Sequence, residues 1–221
     1  MQIGVTIETA LHQWRKWRRD RAPGPIGDFY RAGGNNALYE NLPIKSDDLV
    51  LDVGGYRGEW TAEIAWRYGC RSIILEAIPS FAHQCTSRFR SNARVVVIGE
   101  ALGAESGTTT MTEAADSSSA LRPDSTAPRL DVKVLGVNDL FAKRELTEVA
   151  CMKINIEGGE YELLERMQAA GLLSKVRCFL IQFHTVASDS GARRSSIAGA
   201  LSQTHKKVFD YPFVWERWDR A

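Results

Sequence analysis

Cysteine is scarce in this sequence, and its four residues, Cys70, Cys85, Cys151 and Cys178, form no Cys-x-x-Cys pair. Two of them sit inside apolar runs, so the expectation is free, buried or half-buried thiols in a reducing cytoplasm. There is no run of about 18 apolar residues, which excludes a transmembrane helix. The stretch from Met1 to Ala10 lacks a basic segment followed by an apolar core, so no signal peptide is expected and the location read from this is cytoplasmic. Neither sign of charge is in excess: 28 Lys and Arg against 27 Asp and Glu give a formal net charge of +1. That balance argues against a histone-like or polybasic protein, though not against a local basic patch. Internal repeats are absent.

What is present is an ordinary globular composition. The 221 residues suit one domain with extensions, and 44% are hydrophobic. Folding a chain of this size buries about 70% of its unfolded surface, enough for a core without disulfides.

Short β-rich runs alternate with helical stretches. Asp48–Val53 reads as a strand and Glu59–Tyr68 as a helix stopped by Gly69. Ser72–Ile78 is a second strand, and Pro79 suits the first turn of a helix through about Phe89. Arg94–Ile98, Leu130–Val137, Val149–Ile156 and Val176–Phe183 read as further strands. Helices are predicted over Glu160–Ala170 and around Arg194–His205. The aromatic alternation from Lys207 to Trp218 predicts one final strand. Thr108–Pro128 is a polar segment rich in Ser, Thr, Ala and Pro. Strand and helix alternating at this spacing imply a mostly parallel sheet covered on both faces, with ligands at the carboxyl ends of its strands.

The loop Asp52-Val-Gly-Gly-Tyr-Arg-Gly58 follows the first strand. Glycines permit a sharp turn and close approach of backbone to ligand, and the helix that follows offers free N–H groups. Glu76 ends the second strand, where a carboxylate can accept hydrogen bonds from both hydroxyls of a ribose. A ligand-free tight turn is the plainer reading of the glycines alone.

Acid-Val-Gly-Gly-x-x-Gly after the first strand, with an acid ending the second, resembles the class I S-adenosylmethionine-dependent methyltransferases. Gly99-Glu100-Ala101 looks like that class's Gly-Asp-Ala segment, in which the acid and the next amide meet the adenine. A sharper resemblance lies in Lys153-Ile-Asn-Ile-Glu-Gly-Gly-Glu160, similar to the Lys-Ile-Asp-Val-Glu-Gly-Ala-Glu signature of the FkbM-type methyltransferases. Ser117–Leu121 looks like that family's Ser-rich loop, and Ile181-Gln-Phe-His184 like its strand ending in His. The resemblance implies a Rossmann-like class I methyltransferase fold: an α/β domain over residues 46–221, with helices on both faces and an N-terminal helical cap over residues 1–45. It implies S-adenosyl-L-methionine as cofactor, held by Asp52, Gly54, Gly55, Gly58, Glu76, Glu100 and Ala101. The family's Asp is Asn155 here, a neutral amide that can orient a group but cannot take a proton.

Transfer to an alcohol needs orientation and a base. Lys153, Asn155 and Glu157 alternate and share a strand face. His184 ends the neighbouring predicted strand. The catalytic set expected is therefore His184, Glu157 and Asn155, with His184 as base and Glu157 as its orienting partner, or the reverse. Glu157 also fits a helix cap, and His184 a buried histidine bonded to a carbonyl. No cluster has metal-ligand spacing, so no metal is expected. Trp60 and Trp66 suit core packing, and His12, His83 and His205 a surface or helix face.

Arg15–Arg21 mixes basic residues with tryptophan, and Pro23-Gly24-Pro25 and Gly33–Asn36 read as joints that let this segment move over the site. The expected substrate is a small-molecule hydroxyl, of a sugar or natural product; no nucleic-acid or membrane partner is expected. The rival readings are an RNA or cap ribose methyltransferase and a non-catalytic cofactor-binding module.

Overall fold

The computed structural model describes residues 21–112 and 129–221. Residues 15–20 of the basic segment, His12 and Ser117–Leu121 lie outside them. Seven strands form one sheet: β1 (Leu49–Val53), β2 (Arg71–Leu75), β3 (Val95–Ile98), β7 (Cys151–Ile154), β8 (Cys178–Ile181), β9 (His205–Tyr211) and β10 (Trp215–Arg220), in the order β3-β2-β1-β7-β8-β10-β9. The pairs from β3 to β8 are parallel, and β10 runs antiparallel to both β8 and β9.

The interior parallel strands are mostly apolar because both of their faces are covered, with Asp52 in β1 and Lys153 in β7 as buried charged exceptions. Alternate residues enter different layers. Leu51, Val53, Met152, Ile154, Phe179 and Ile181 pack with Tyr161, Leu163 and Leu164 of the helix Glu160–Ala169. Val50, Cys151, Cys178 and Leu180 pack with Trp60 and Ile64 of the helix Glu59–Tyr68, and with Phe29. All four cysteines are free and buried.

Chain direction across the sheet explains where a ligand can enter. From β1 the chain moves to β2 and β3 on one side, then returns to β7 on the other. The connections diverge at the carboxyl ends of β1 and β7 and leave a crevice there.

Several sequence expectations shift. The second strand stops at Leu75 rather than Ile78, because Glu76 and Ile78 turn into the helix Pro79–Phe89. The last helix runs Ser190–Leu201, earlier than expected, and the aromatic tail is a hairpin of two strands, turning at 212–214, instead of one. Its reversal puts His205 in β9, where it is buried and its ring bonds the Val176 carbonyl oxygen at 2.8 Å. Trp66 is exposed to 79%, while Trp60 is core. The polar segment begins in ordered structure, β5 (Gly107–Thr112), which joins β4 (Ala101–Gly103) and β6 (Arg129–Gly136), the strand expected over Leu130–Val137, in a separate three-stranded sheet ordered β4-β6-β5. The signal of β5 is weak because this Thr-rich strand is largely exposed.

Pro23-Gly24-Pro25 starts a helix, Gly24–Arg31, with proline in its first turn. Phe29 from that helix is buried and meets Tyr211 edge-on at 5.3 Å between ring centres. The described part of the N-terminal segment is thus anchored on the sheet. Among the described residues no helix is long and apolar enough to cross a membrane.

Candidate active site

The loop after β1 is built for close approach. Gly54 has φ +78°, and a Cβ there would lie 2.0 Å from the Asn155 carbonyl oxygen. A Cβ on Gly55 would lie 2.2 Å from Ile74. The amides of both glycines donate to the Leu75 carbonyl oxygen, tying the loop to β2. Gly58 begins the helix Glu59–Tyr68 with φ +72°, and a Cβ there would meet the Phe89 ring at 2.7 Å. Its role is helix packing, and it does not line the cavity.

Glu76 is buried at the end of β2. One carboxylate oxygen accepts from the Tyr56 amide at 2.7 Å and the other from the Ile78 amide at 2.9 Å. Burial raises its pKa, opposed by those two hydrogen bonds and by Lys153. The side chain keeps free acceptor lone pairs and faces the cavity.

Asp52 departs from its expected place. It is fully buried, accepts from the Thr61 hydroxyl at 2.7 Å and pairs with Lys153 Nζ at 2.9 Å. Lys153 is its direct neighbour in the β1–β7 register and also donates to the Gly54 carbonyl oxygen at 2.6 Å. Asp52 is a strut beneath the glycine loop and no part of the cavity wall. Glu100 does not line the cavity either, because the chain turns between β3 and β4, whereas Ala101 does.

Beyond β7 the backbone is forced into an unusual path: Glu157 has φ +52° and Gly158 φ +111°. This brings Glu157 to the cavity wall beside Asn155. Asn155 Oδ1 is buried and has no hydrogen-bond partner among the described residues. The His184 ring lies behind them. Its Nε2 is 3.3 Å from Glu157 Oε1 and its Nδ1 is 3.2 Å from Glu160 Oε1. Glu160, fully buried, also accepts from the His184 amide and from the Gly158 amide, each at 2.7 Å. Burial alone would lower the His184 pKa; hydrogen bonds and charge from Glu157 and Glu160 outweigh it and raise the pKa to about 9. His184 therefore carries a proton at neutral pH and does not itself line the cavity. Glu160 was quoted in the sequence motif without a role; its burial could not be read from the helix pattern, which places it at the first turn.

These groups surround a cavity of about 720 Å³, within the usual range for small-molecule sites. Glu76, Ala77, Ile78 and Phe81 line it from the β2 side, and Leu102, Thr109, Met111 and Val134 from the small sheet. Tyr39 and Trp60 complete the wall. From the small sheet, sequence reasoning named only Ala101 and missed Leu102, Thr109, Met111 and Val134. No group of three or more His, Cys, Asp or Glu side chains among the described residues is arranged to hold a metal ion.

The methyltransferase FkbM domain family matches residues 52–211. No curated protein matches the chain in sequence. Among solved structures, a protein of Streptococcus mutans assigned as a methyltransferase and solved with S-adenosylhomocysteine is similar at TM-score 0.52 and 6% identity, covering 86% of this chain and 97% of that one. An rRNA methylase from Streptococcus thermophilus matches at TM-score 0.51 and 9% identity, over 85% and 94% of the two chains. A protein of Clostridium thermocellum assigned as an rRNA methylase matches at TM-score 0.50 and 9% identity, over 86% and 94%. At such identities the likeness is one of fold, a Rossmann-like methyltransferase fold.

Proposed function

The chain belongs to the FkbM methyltransferase domain family and is an S-adenosylmethionine-dependent methyltransferase; on that premise we propose that it methylates a hydroxyl oxygen of a small molecule, with Glu157 as the base. When bound, the cofactor supplies an electrophilic methyl group on a sulfonium. The site's residues suit it. Gly54 and Gly55 leave a cradle that any Cβ would fill. Glu76 offers acceptors to ribose hydroxyls, and Ala101 and Phe81 flank the same wall.

The observation that carries the reading is Glu157 on the cavity wall with His184 behind it. A base must face the acceptor and be unprotonated. Glu157 meets the first condition, whereas His184, with both ring nitrogens beside carboxylates and a pKa raised to about 9, is protonated and set back. Of the two assignments open from the sequence, this supports the reverse one: Glu157 takes the hydroxyl proton and His184 orients it. Asn155 Oδ1, lacking a partner among the described residues, suits a donor on the acceptor molecule. Orientation is the larger contribution, and proton removal adds to it.

We assign residues 1–45 to a cap and 46–221 to the catalytic domain, a division supported by Tyr39, which comes from the first segment and lines the cavity. A cavity of about 720 Å³ lined by several carboxylates favours a small acceptor over a nucleic-acid backbone.

A methyl-transfer screen over sugars and hydroxylated metabolites tests the class, with RNA as the competing substrate. Once an acceptor is known, Glu157→Gln is expected to lower kcat by about 10²-fold or more while calorimetry with S-adenosylhomocysteine shows near wild-type affinity. Unchanged turnover, or parallel loss of both, removes Glu157 from the chemistry.

A further inference from the structure

Lys153 is a buried cation that the proposed transfer does not use. It belongs to β7, where the sheet register sets it beside Asp52 of β1. Its ammonium has three N–H donors and no acceptor. One donates to Asp52 Oδ1 at 2.9 Å and one to the Gly54 carbonyl oxygen at 2.6 Å. The third has no hydrogen-bond partner among the described residues. The residue is only 7% exposed, yet it lines the cavity, as does Gly54, whose carbonyl oxygen it holds. A buried donor left unsatisfied is costly, and an anion is the strongest acceptor it can take. Asp52 and Gly54 fix two of the three N–H groups and so give the third a defined direction.

The position in the sheet indicates which anion this is. The cavity runs over the carboxyl ends of β2, β1 and β7, with Glu76 after β2, the glycine loop after β1 and Lys153 in β7. Two strand spacings put β2 and β7 about 10 Å apart. A cofactor whose ribose meets Glu76 extends its amino acid end over the glycines toward β7. That end carries a carboxylate, and taking a carboxylate out of water without a partner is strongly disfavoured. Among the described residues lining the cavity, Lys153 is the one with a basic side chain.

We propose that the third N–H of Lys153 binds the carboxylate of S-adenosylmethionine, which makes Lys153 a cofactor-binding residue. The proposal rests on the cofactor lying in this cavity with its ribose at Glu76. The buried Asp52–Lys153 pair then does more than support the glycine loop: its cation recognises the amino acid end of the ligand that the loop cradles.

Calorimetry tests this with S-adenosylhomocysteine and its decarboxylated analogue, 5′-deoxy-5′-(3-aminopropylthio)adenosine. The analogue keeps the adenosine, the thioether and the ammonium and lacks only the carboxylate. Wild-type protein is expected to bind S-adenosylhomocysteine roughly 10- to 100-fold more tightly than the analogue. Lys153→Met is expected to erase that preference. The single variant leaves Asp52 charged and unpaired in the interior, which destabilises the fold and itself repels a carboxylate. The deciding protein is therefore Asp52→Asn/Lys153→Met, which removes both charges and leaves the net charge unchanged; its fold is checked by thermal melting. In it S-adenosylhomocysteine affinity is expected to fall to that of the analogue, whose own affinity stays near the wild-type value. A preference retained in the double variant overturns the proposal. Equal weakening of both ligands there overturns it too, leaving Lys153 as a strut alone. Equal binding of the two ligands by wild-type protein, a comparison that needs no variant, overturns it while leaving the cavity as the cofactor site. Binding of neither ligand by wild-type protein overturns the cofactor site as well.

Discussion

His184 Nε2 stands 3.3 Å from Glu157 Oε1, while its other ring nitrogen stands 3.2 Å from Glu160 Oε1. An imidazole bracketed by two carboxylates in a mostly buried place is held as imidazolium, with a pKa of about 9. The unfolded value is about 6.5. Since the folded pKa is the higher one, the contribution to stability is fully present below about pH 6.5 and is lost as pH rises through 9. It amounts to at most about 3 kcal/mol. Urea unfolding at pH 7 and pH 10 is expected to show this loss in the wild type and a flatter profile in His184→Gln. An NMR titration of the His184 ring with a midpoint near 6.5 would remove the bracketed imidazolium from the argument.

Glu160→Gln separates positioning from chemistry. The amide keeps one acceptor for the Gly158 or His184 amide but withdraws the buried negative charge. The His184 midpoint is expected to fall by about one unit or more, because an opposite charge at hydrogen-bond distance is among the strongest influences on a pKa. The kcat–pH profile should shift with it if His184 orients Glu157. A purely structural Glu160 would lower thermal stability and leave the midpoint in place.

The parts of this arrangement differ in how far the sequence reveals them. Strand β1, the glycine loop and the helix Glu59–Tyr68 are legible because local chemistry determines them: a buried apolar run, residues tolerant of positive φ, and a glycine stop. The convergence of Glu157 and His184 is legible too, since both follow adjacent parallel strands. Their protonation states are not. These depend on Glu160, whose burial follows from the tertiary packing of its helix against β8. The same holds for Asp52, which looks like a ligand residue in its motif but is drawn under the loop by Lys153, distant in sequence and adjacent only in the sheet. In the small sheet β6 is legible as the run Leu130–Val137, whereas Thr-rich β5 is not, because it is largely solvated and carries little apolar pattern.

Lys153→Met probes that buried pair. Asp52 would lose its cation while fully buried, retaining only the Thr61 hydroxyl. Removing one partner of a buried ion pair costs about 3–5 kcal/mol, whereas replacing both costs much less. Chemical denaturation is expected to show a large destabilisation in Lys153→Met and partial recovery in Asp52→Asn/Lys153→Met. Similar losses in the single and double variants would mean that Lys153 matters chiefly through its bond to the Gly54 carbonyl oxygen.

Glu76→Gln tests the assignment of the ribose site. A hydrogen bond to a charged acceptor contributes about 1.5–3 kcal/mol, so S-adenosylmethionine affinity is expected to fall roughly 10- to 100-fold by calorimetry. Burial raises the carboxyl pKa, so the wild-type affinity should also decline as pH falls through that elevated value, and the variant should show no such decline. Equal affinity in both proteins across the range would place the ribose elsewhere.

Gly54→Ala addresses the cradle itself. A methyl group at this position would meet the Asn155 carbonyl oxygen at 2.0 Å, and the backbone sits at φ +78°, where a side chain is strained by roughly 1–2 kcal/mol before any contact is counted. Relief requires β1 and β7 to part at their carboxyl ends, which carries Asn155 and Glu157 away from the glycine loop. Cofactor binding and turnover should therefore both collapse, in contrast to Glu157→Gln, which spares binding. Gly69→Ala has a similar strain, at φ +62°, but nothing lies within 4 Å of its added methyl. It should lose stability on the scale of the strain alone and keep its affinity for S-adenosylmethionine, so comparing the two by calorimetry and thermal melting isolates the steric role of the cradle from the cost of left-handed backbone.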